Sequence, residues 1–381
     1  MLSAANAWDD HRMADAQLAA ALSAHVPVLY VDPPQSVSSR LRSAGSRSAG
    51  SRTAGPRLAL VAPRVARLTP EGLPGLSRAR VATVNSRLIA RQVAAALRRL
   101  GRRPAAVIEA NLLSPVLGLA DLGRRVYWAQ DDFVAMAPLV GVDPRIFHAN
   151  HERLTRDASV IVAANPLVAG SITAATGRAV ELIPFGCDVT HFSTCAPARP
   201  AEPGTGTAVL MGTLNDRLDL GLLHAVAEAG VRLLVIGPRS PRYDPPGFAG
   251  LLAHPHVTWL GERPFAELPR HVAGAGVGLV PYTHSAFNEA SFPLKTLEYL
   301  AAGLPVVATD LPAIRWLAAP DVRVADSAGS FASAVRDALD VSPAQAEAIR
   351  HRARATAQGH TWAARAALFA ELLPQPVARA S

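Results

Sequence analysis

Short runs of Val, Ile and Leu recur along this chain, each followed by a stretch with a helical period, and that alternation dictates a sheet of parallel strands. "VPVLYVD" (26–32), "RLALVAP" (57–63), "AAVIEA" (105–110), "RRVYWAQDD" (124–132) and "ASVIVAAN" (158–165) read as strands, with a helix over about 86–100 among them. Strands that are apolar on both faces need helices on both faces, the condition met when each parallel strand returns through a helical crossover. "STCAPARPAEPGTGTA" (193–208) has no period and is rich in Pro, Gly and Ala. The alternation then restarts with "AVLMGTL" (208–214), a helix near 221–229, "RLLVIGP" (232–238), "VTWLGE" (257–262), "GVGLVPY" (276–282) and "PVVATD" (305–310). At 381 residues the chain is too long for one ordinary core. The expected fold is α/β, with two doubly wound Rossmann-like domains facing each other across a cleft. They should span 1–192 and 208–381, joined by a linker at 193–207, with a closing helix at about 361–374.

Hydrophobic residues make up 50% and charged ones 18%, so no low-hydrophobicity half of the chain argues against folding. Neither a leader segment nor an apolar run of roughly 18 residues is evident, and a cytoplasmic protein is expected. Cys187 and Cys195 are too few for a disulfide framework or a zinc site and read as free thiols. The positive charge is uneven: residues 38–103 hold fifteen Arg and one acid, Glu71, so this segment carries +14 in a chain of net +8. Within it "RSAGSRSAGSRTAGPR" (42–57) repeats a five-residue unit of small residues, which cannot build a core. Such a loop and face would suit an anionic membrane surface or an anionic acceptor, or would simply be solvated. No aromatic residue lies between Ser38 and Arg103, so the stacking platform of a single-strand nucleic-acid binder is missing and no nucleic acid is expected.

Arginine supplies every basic side chain but one. The exception, Lys295, lies in "SFPLKTLEYLAAGLPVVATD" (291–310). Pro293 suits the start of a helix and Gly303 its stop, giving a helix from about Pro293 to Ala302 with Lys295 in its first turn. Exposed amides already make that end positive, so a bound anion would relieve the conflict. Helix starts at the carboxyl ends of parallel strands are phosphate sites in doubly wound folds. Glu298, three residues on, shares the face of Lys295. The two would form either an exposed salt bridge or a site in which Lys295 and the amides hold a diphosphate and Glu298 accepts two ribose hydroxyls.

The same stretch resembles the donor-nucleotide motif of family 4 type retaining glycosyltransferases of the GT-B fold, above all those that build bacterial cell-surface polysaccharides. "NHERLTRDASVIVAANPLVAG", "LIPFGCDVTHF", "VLMGTLNDRLDLGLL", "HVTWLGERPFAELPRHVAGAGVGLVPY" and "TWAARAALFAELL" resemble further segments of that family in the same order. The resemblance implies transfer of a hexose from a nucleotide diphosphate sugar, UDP or GDP, to a glycan, lipid-linked or small-molecule acceptor with retention. No permanently bound cofactor and no metal would be needed. It makes Glu298 the ribose ligand and Lys295 a diphosphate ligand, with Pro293 and Leu294 at the helix start. Gly212 and Thr213 would admit the phosphates to the backbone, Arg217 would be a second cation, and Gly261 and Arg263 in "LGERPF" (260–265) would hold the base. The family's acid eight residues before Glu298 is replaced by Ala290, with Glu289 one place off.

In the first domain, Asp131 and Asp132 follow a parallel strand. A carboxylate there would orient or deprotonate an acceptor hydroxyl, or would cap the next turn. Asp9, Asp10 and His11 in "NAWDDHR" are weaker candidates for acceptor contact. Two other readings stay open. A sugar-nucleotide epimerase or phosphorylase would use the same donor cleft, although an epimerase would leave the basic loop without a task. A non-enzymatic protein would bind anionic lipid or nucleic acid through the Arg-rich segment. "AGAGVGLV" (273–280) superficially suggests a dinucleotide fingerprint, but it precedes a strand and opens no helix.

Overall fold

The structure is a computed structural model, and it describes residues 1–9, 13–36, 56–75, 79–116, 123–194 and 206–374. Asp10, His11, Cys195, the bulk of the basic repeat and most of the expected linker lie outside the described residues. The chain separates into two compact units.

The first unit is built on an eight-stranded sheet. Its strands are β1 (Leu2–Ser3) and β2 (Val28–Val31), then β4 (Arg57–Ala62), β5 (Val65–Thr69), β7 (Ala106–Glu109), β8 (Arg124–Ala129), β9 (Val160–Ala163) and β10 (Glu181–Leu182); Gln35–Ser36 (β3) and Glu71–Gly72 (β6) form a separate pair. The order is β10-β9-β8-β7-β1-β2-β5-β4, parallel except at the last edge. The inner strands β2 and β7 are buried throughout, as their unbroken apolar runs require. β4 differs from the expected pattern, because it pairs antiparallel with β5 across a tight turn at Arg64 (φ 59°) and is largely exposed. An edge strand has one free side, so "RLALVA" can carry apolar letters without being core.

The second unit holds a six-stranded, wholly parallel sheet. Its strands are β11 (Thr207–Met211), β12 (Arg232–Ile236), β13 (Val257–Trp259), β14 (Val277–Val280), β15 (Val306–Ala308) and β16 (Val322–Val324), in the order β13-β12-β11-β14-β15-β16. The chain runs outward from β11 in one direction and from β14 in the other. The loops after these two neighbours therefore diverge, leaving a crevice at their carboxyl ends where doubly wound sheets bind ligands.

The division between the units differs from the expected one. Phe185–Thr361 forms the second unit, and the helix Trp362–Glu371 returns to the first. There it packs on the helix Ala14–Leu22, and Phe369 meets Trp128 edge to face at 5.3 Å. Residues 185–192, expected in the first domain, belong to the second, where Cys187 N–H donates to the His360 carbonyl at 2.8 Å. Cys187 is buried.

Candidate active site

The switch point of the second unit gathers most of the residues expected to hold a donor. The helix there runs Leu294–Ala302, with Pro293 as its N-cap instead of its first residue and Gly303 left-handed (φ 88°) at its C-cap. Pro293 supplies no side-chain cap, so the first-turn amides of Leu294 and Lys295 meet none from it. Lys295 Nζ donates to Glu298 Oε2 at 2.7 Å. The Glu298 side chain is 3% exposed and that of Lys295 27%, so this is a nearly buried carboxylate held by the one lysine and not a surface pair. Tyr299, next in sequence, is fully buried and accepts from the Met211 amide at 2.6 Å, which ties the helix to the end of β11. Burial drives the Tyr299 hydroxyl pKa well above its ordinary value and keeps it neutral in that role.

Gly212 follows β11 with φ 143°, and a Cβ built there would meet nothing within 4 Å, so its backbone stands open. Thr213 beside it is exposed. The sequence reading missed Gly237, which has φ 145° and would place a Cβ only 1.9 Å from the Gly212 carbonyl. Gly212 N–H donates to Ile236, and Gly237 N–H donates to Gly261, both at 2.9 Å, so three glycines join the ends of β11, β12 and β13. The one signal available was that each glycine follows a strand.

Arg217 is half-buried and tightly held. Its Nε donates to Asn288 Oδ1 at 2.8 Å and its Nη2 to Ser291 Oγ at 3.2 Å. The guanidinium carbon lies 4.6 Å from the Tyr282 ring centroid and 4.9 Å from that of Phe287. Asn288 is fully buried and returns its amide to the Arg217 carbonyl at 3.1 Å and to Thr283. Among the described residues no carboxylate pairs with Arg217, so two neutral polar groups and two ring faces orient a cation whose charge is left uncompensated. Asn288 and Ser291 were not anticipated, since nothing local in sequence links them to a residue some seventy positions earlier.

Ala290 is buried, whereas Glu289 is half-buried, with His284 Nδ1 at 3.8 Å from its carboxylate. His284 Nε2 reaches Asp326 Oδ1 at 3.1 Å. In the loop 260–265, Gly261 is left-handed (φ 69°) and Arg263 Nη1 donates to the Glu262 carbonyl at 3.1 Å. His191 stacks on Phe265 at 4.1 Å, which fixes the far end of that loop.

In the first unit, Asp131 and Asp132 follow β8 as expected. Asp132 Oδ1 accepts from Ala135 N–H at 2.9 Å and caps the helix Phe133–Val140. Nearby, Tyr127 and His151 Nδ1 lie 2.8 Å apart; burial lowers the His151 pKa against the opposing charge of Asp132. Asp9 accepts from Arg67 at 2.6 Å, and the same guanidinium donates to the buried Asp32 at 2.7 Å. No helix among the described residues is long and apolar enough to cross a membrane, and they contain no group of three His, Cys, Asp or Glu able to hold a metal ion.

Two doubly wound sheets with this switch-point site define the GT-B fold class. Solved structures agree over nearly the whole chain. The sucrose-phosphate synthase of Thermosynechococcus elongatus superposes with a TM-score of 0.70 at 17% identity, covering 93% of this chain and 90% of its own. Anabaena HepE in complex with UDP and glucose superposes with a TM-score of 0.66 at 15% identity, covering 97% and 98%. Residues 209–340, within the second unit, match the family described as glycosyl transferases group 1. The putative teichuronic acid biosynthesis glycosyltransferase TuaH of Bacillus subtilis (strain 168) is 35% identical over 149 residues, which are 38% of this chain and 37% of that protein's length.

Proposed function

We propose that this protein is a glycosyltransferase that takes a sugar from a nucleoside diphosphate donor, UDP before GDP, and transfers it with retention to a glycan or lipid-linked acceptor of the cell surface. The observation that carries this reading is Arg217, a half-buried cation with no carboxylate partner among the described residues, five positions after Gly212 and in the unit that also carries Lys295 and Glu298. A leaving diphosphate develops charge there, and fixed donors aimed at developing charge are the main device of such catalysis. Lys295 and the helix amides would add to it, while Glu298 would turn from Lys295 to the ribose hydroxyls. HepE, with its bound UDP and glucose, supports the choice of UDP, and TuaH supports a cell-surface product. Asp131 or Asp132 would orient the acceptor, and the Arg-rich segment 40–103 would rest on an anionic membrane at the inner face.

A thermal-shift and calorimetric screen of UDP, GDP, ADP and dTDP against the wild type and Lys295→Ala tests the donor site. Stabilisation of the wild type alone by one nucleotide is expected. If none stabilises it, the donor assignment fails.

A further inference from the structure

The helix Val189–Ser193, in the second unit, brackets two parts of the candidate donor site. It packs on the helix Leu294–Ala302, which carries Lys295 and Glu298, and on the short helix Leu268–Val272 that follows the loop 260–265. The residue that reaches this loop is His191. Its amide donates to Asp188 Oδ1 at 2.9 Å, so the helix cap sets its backbone. Its ring lies against that of Phe265 with centroids 4.1 Å apart and planes 11° from parallel, and its Nε2 is 2.9 Å from the Phe265 carbonyl oxygen. A carbonyl oxygen only accepts, so Nε2 carries the proton and donates. The buried Phe192 meets the same Phe265 ring edge to face at 5.7 Å.

The loop is therefore tied at both ends. Leu260 N–H donates to the Val235 carbonyl and Gly237 N–H to that of Gly261, each at 2.9 Å, which joins its start to the strand ends beside Gly212. His191 holds both the backbone and the ring of Phe265 at its finish. Only Glu262, Arg263 and Pro264 lie between these ties. One nucleobase is told from another by hydrogen bonds along its edge, and that discrimination needs donors and acceptors at fixed positions. A loop free at one end would have to be ordered as the base arrived, at a cost in affinity. A loop held at a set distance from Glu298 fits one ring size, and a purine is wider than a pyrimidine by a fused ring.

We propose that His191 is a positioning residue for base recognition: through the helix Val189–Ser193 it fixes the loop 260–265 relative to Glu298 and so gives the site its preference for a pyrimidine over a purine. This rests on the donor reading above and adds to it the residue, outside the loop, that sets the choice of base. His191 acts through Phe265 and touches no nucleotide itself.

The test is calorimetry of the full chain with UDP, GDP and inorganic pyrophosphate, for the wild type, His191→Phe and His191→Ala. His191→Phe keeps a ring against Phe265 and removes only the donor, so the fold should survive it. UDP affinity should fall about fivefold in His191→Phe, the scale of one hydrogen bond, and about tenfold in His191→Ala. Pyrophosphate, which has no base to read, should bind both variants as it binds the wild type, and the preference for UDP over GDP should narrow by the same factors. A loss of pyrophosphate affinity equal to that of UDP would make His191 a general packing residue. Unchanged UDP affinity, or an unchanged ratio of UDP to GDP affinity, in His191→Phe would equally overturn the proposal. A wild type that binds no nucleotide overturns the donor reading and this one with it, whereas a wild type that binds UDP and GDP alike overturns this one alone.

Discussion

Lys295 Nζ stands 2.7 Å from Glu298 Oε2, three residues apart on one helix, and the carboxylate it neutralises is almost wholly buried. The pair holds a cation at the positive end of the helix Leu294–Ala302 because removing it would strand a buried charge. An arriving diphosphate gives Lys295 a second anion, and a ribose gives Glu298 other donors. Lys295→Ala should therefore weaken UDP binding by about 1–3 kcal/mol and also lower the melting temperature of the nucleotide-free protein. Calorimetry that finds UDP affinity unchanged removes Lys295 from the donor site.

Arg217 offers a sharper test of geometry against charge. Lysine keeps the charge but cannot donate along the same plane to Asn288 and Ser291 or offer a planar face to the Tyr282 and Phe287 rings. Arg217→Lys should cost UDP affinity about 1–2 kcal/mol, the scale of a lost charged hydrogen bond with its ring contacts. Asn288→Ala should reproduce most of that loss. Equal affinity in both variants would show that the guanidinium's placement is irrelevant to the nucleotide.

Much of this was readable from the chain alone, and the reasons for the rest are physical. Parallel strands buried on both faces announce themselves as apolar runs, and Lys295 and Glu298 share a helix face by spacing alone. β4 misleads because an exposed edge strand can carry the same letters as a buried one. The helix Trp362–Glu371 misleads for another reason: period shows that it has an apolar face, not which unit covers it. The Asn288 and Ser291 grip on Arg217, and the contact of Gly237 with Gly212, exist only once distant loops converge.

Gly278 shows what the glycine-rich "AGAGVGLV" does. A Cβ there would sit 2.3 Å from the Tyr299 ring, whose hydroxyl accepts from Met211. Gly278→Ala should displace that ring and destabilise the protein by about 1–3 kcal/mol, the cost of overpacking. Thermal unfolding measures it, and a melting temperature equal to wild type would mean that the helix moves freely off β14.

A buried acid in the first unit gives a pH signature. Asp15 is fully buried; burial raises its pKa from 3.8 to about 6, against hydrogen bonds from Asn6 and Gln130 that lower it. The folded state then binds the proton more tightly than the unfolded state. Its relative stabilising effect is complete below about pH 4 and is lost as pH rises through 6. The change is about 3 kcal/mol across that window. Denaturant titrations of wild type and Asp15→Asn should diverge by this amount between pH 4 and 7, and parallel curves would contradict it.

Asp132 can be separated from its structural task because asparagine caps helices as well as aspartate does. Its Oδ1 already accepts from Ala135 N–H, so Asp132→Asn should leave folding and UDP binding intact. What it removes is the charge that opposes the effect of burial on His151 and the carboxylate available to an acceptor hydroxyl. If Asp132 orients or deprotonates that hydroxyl, transfer should slow by roughly a hundredfold, the lower range of general-base contributions. Single-turnover transfer from the UDP-sugar to acceptor reads this directly. A rate equal to wild type, with UDP affinity also unchanged, would assign Asp132 to the helix cap alone and shift the acceptor role to Asp131 or Asp9.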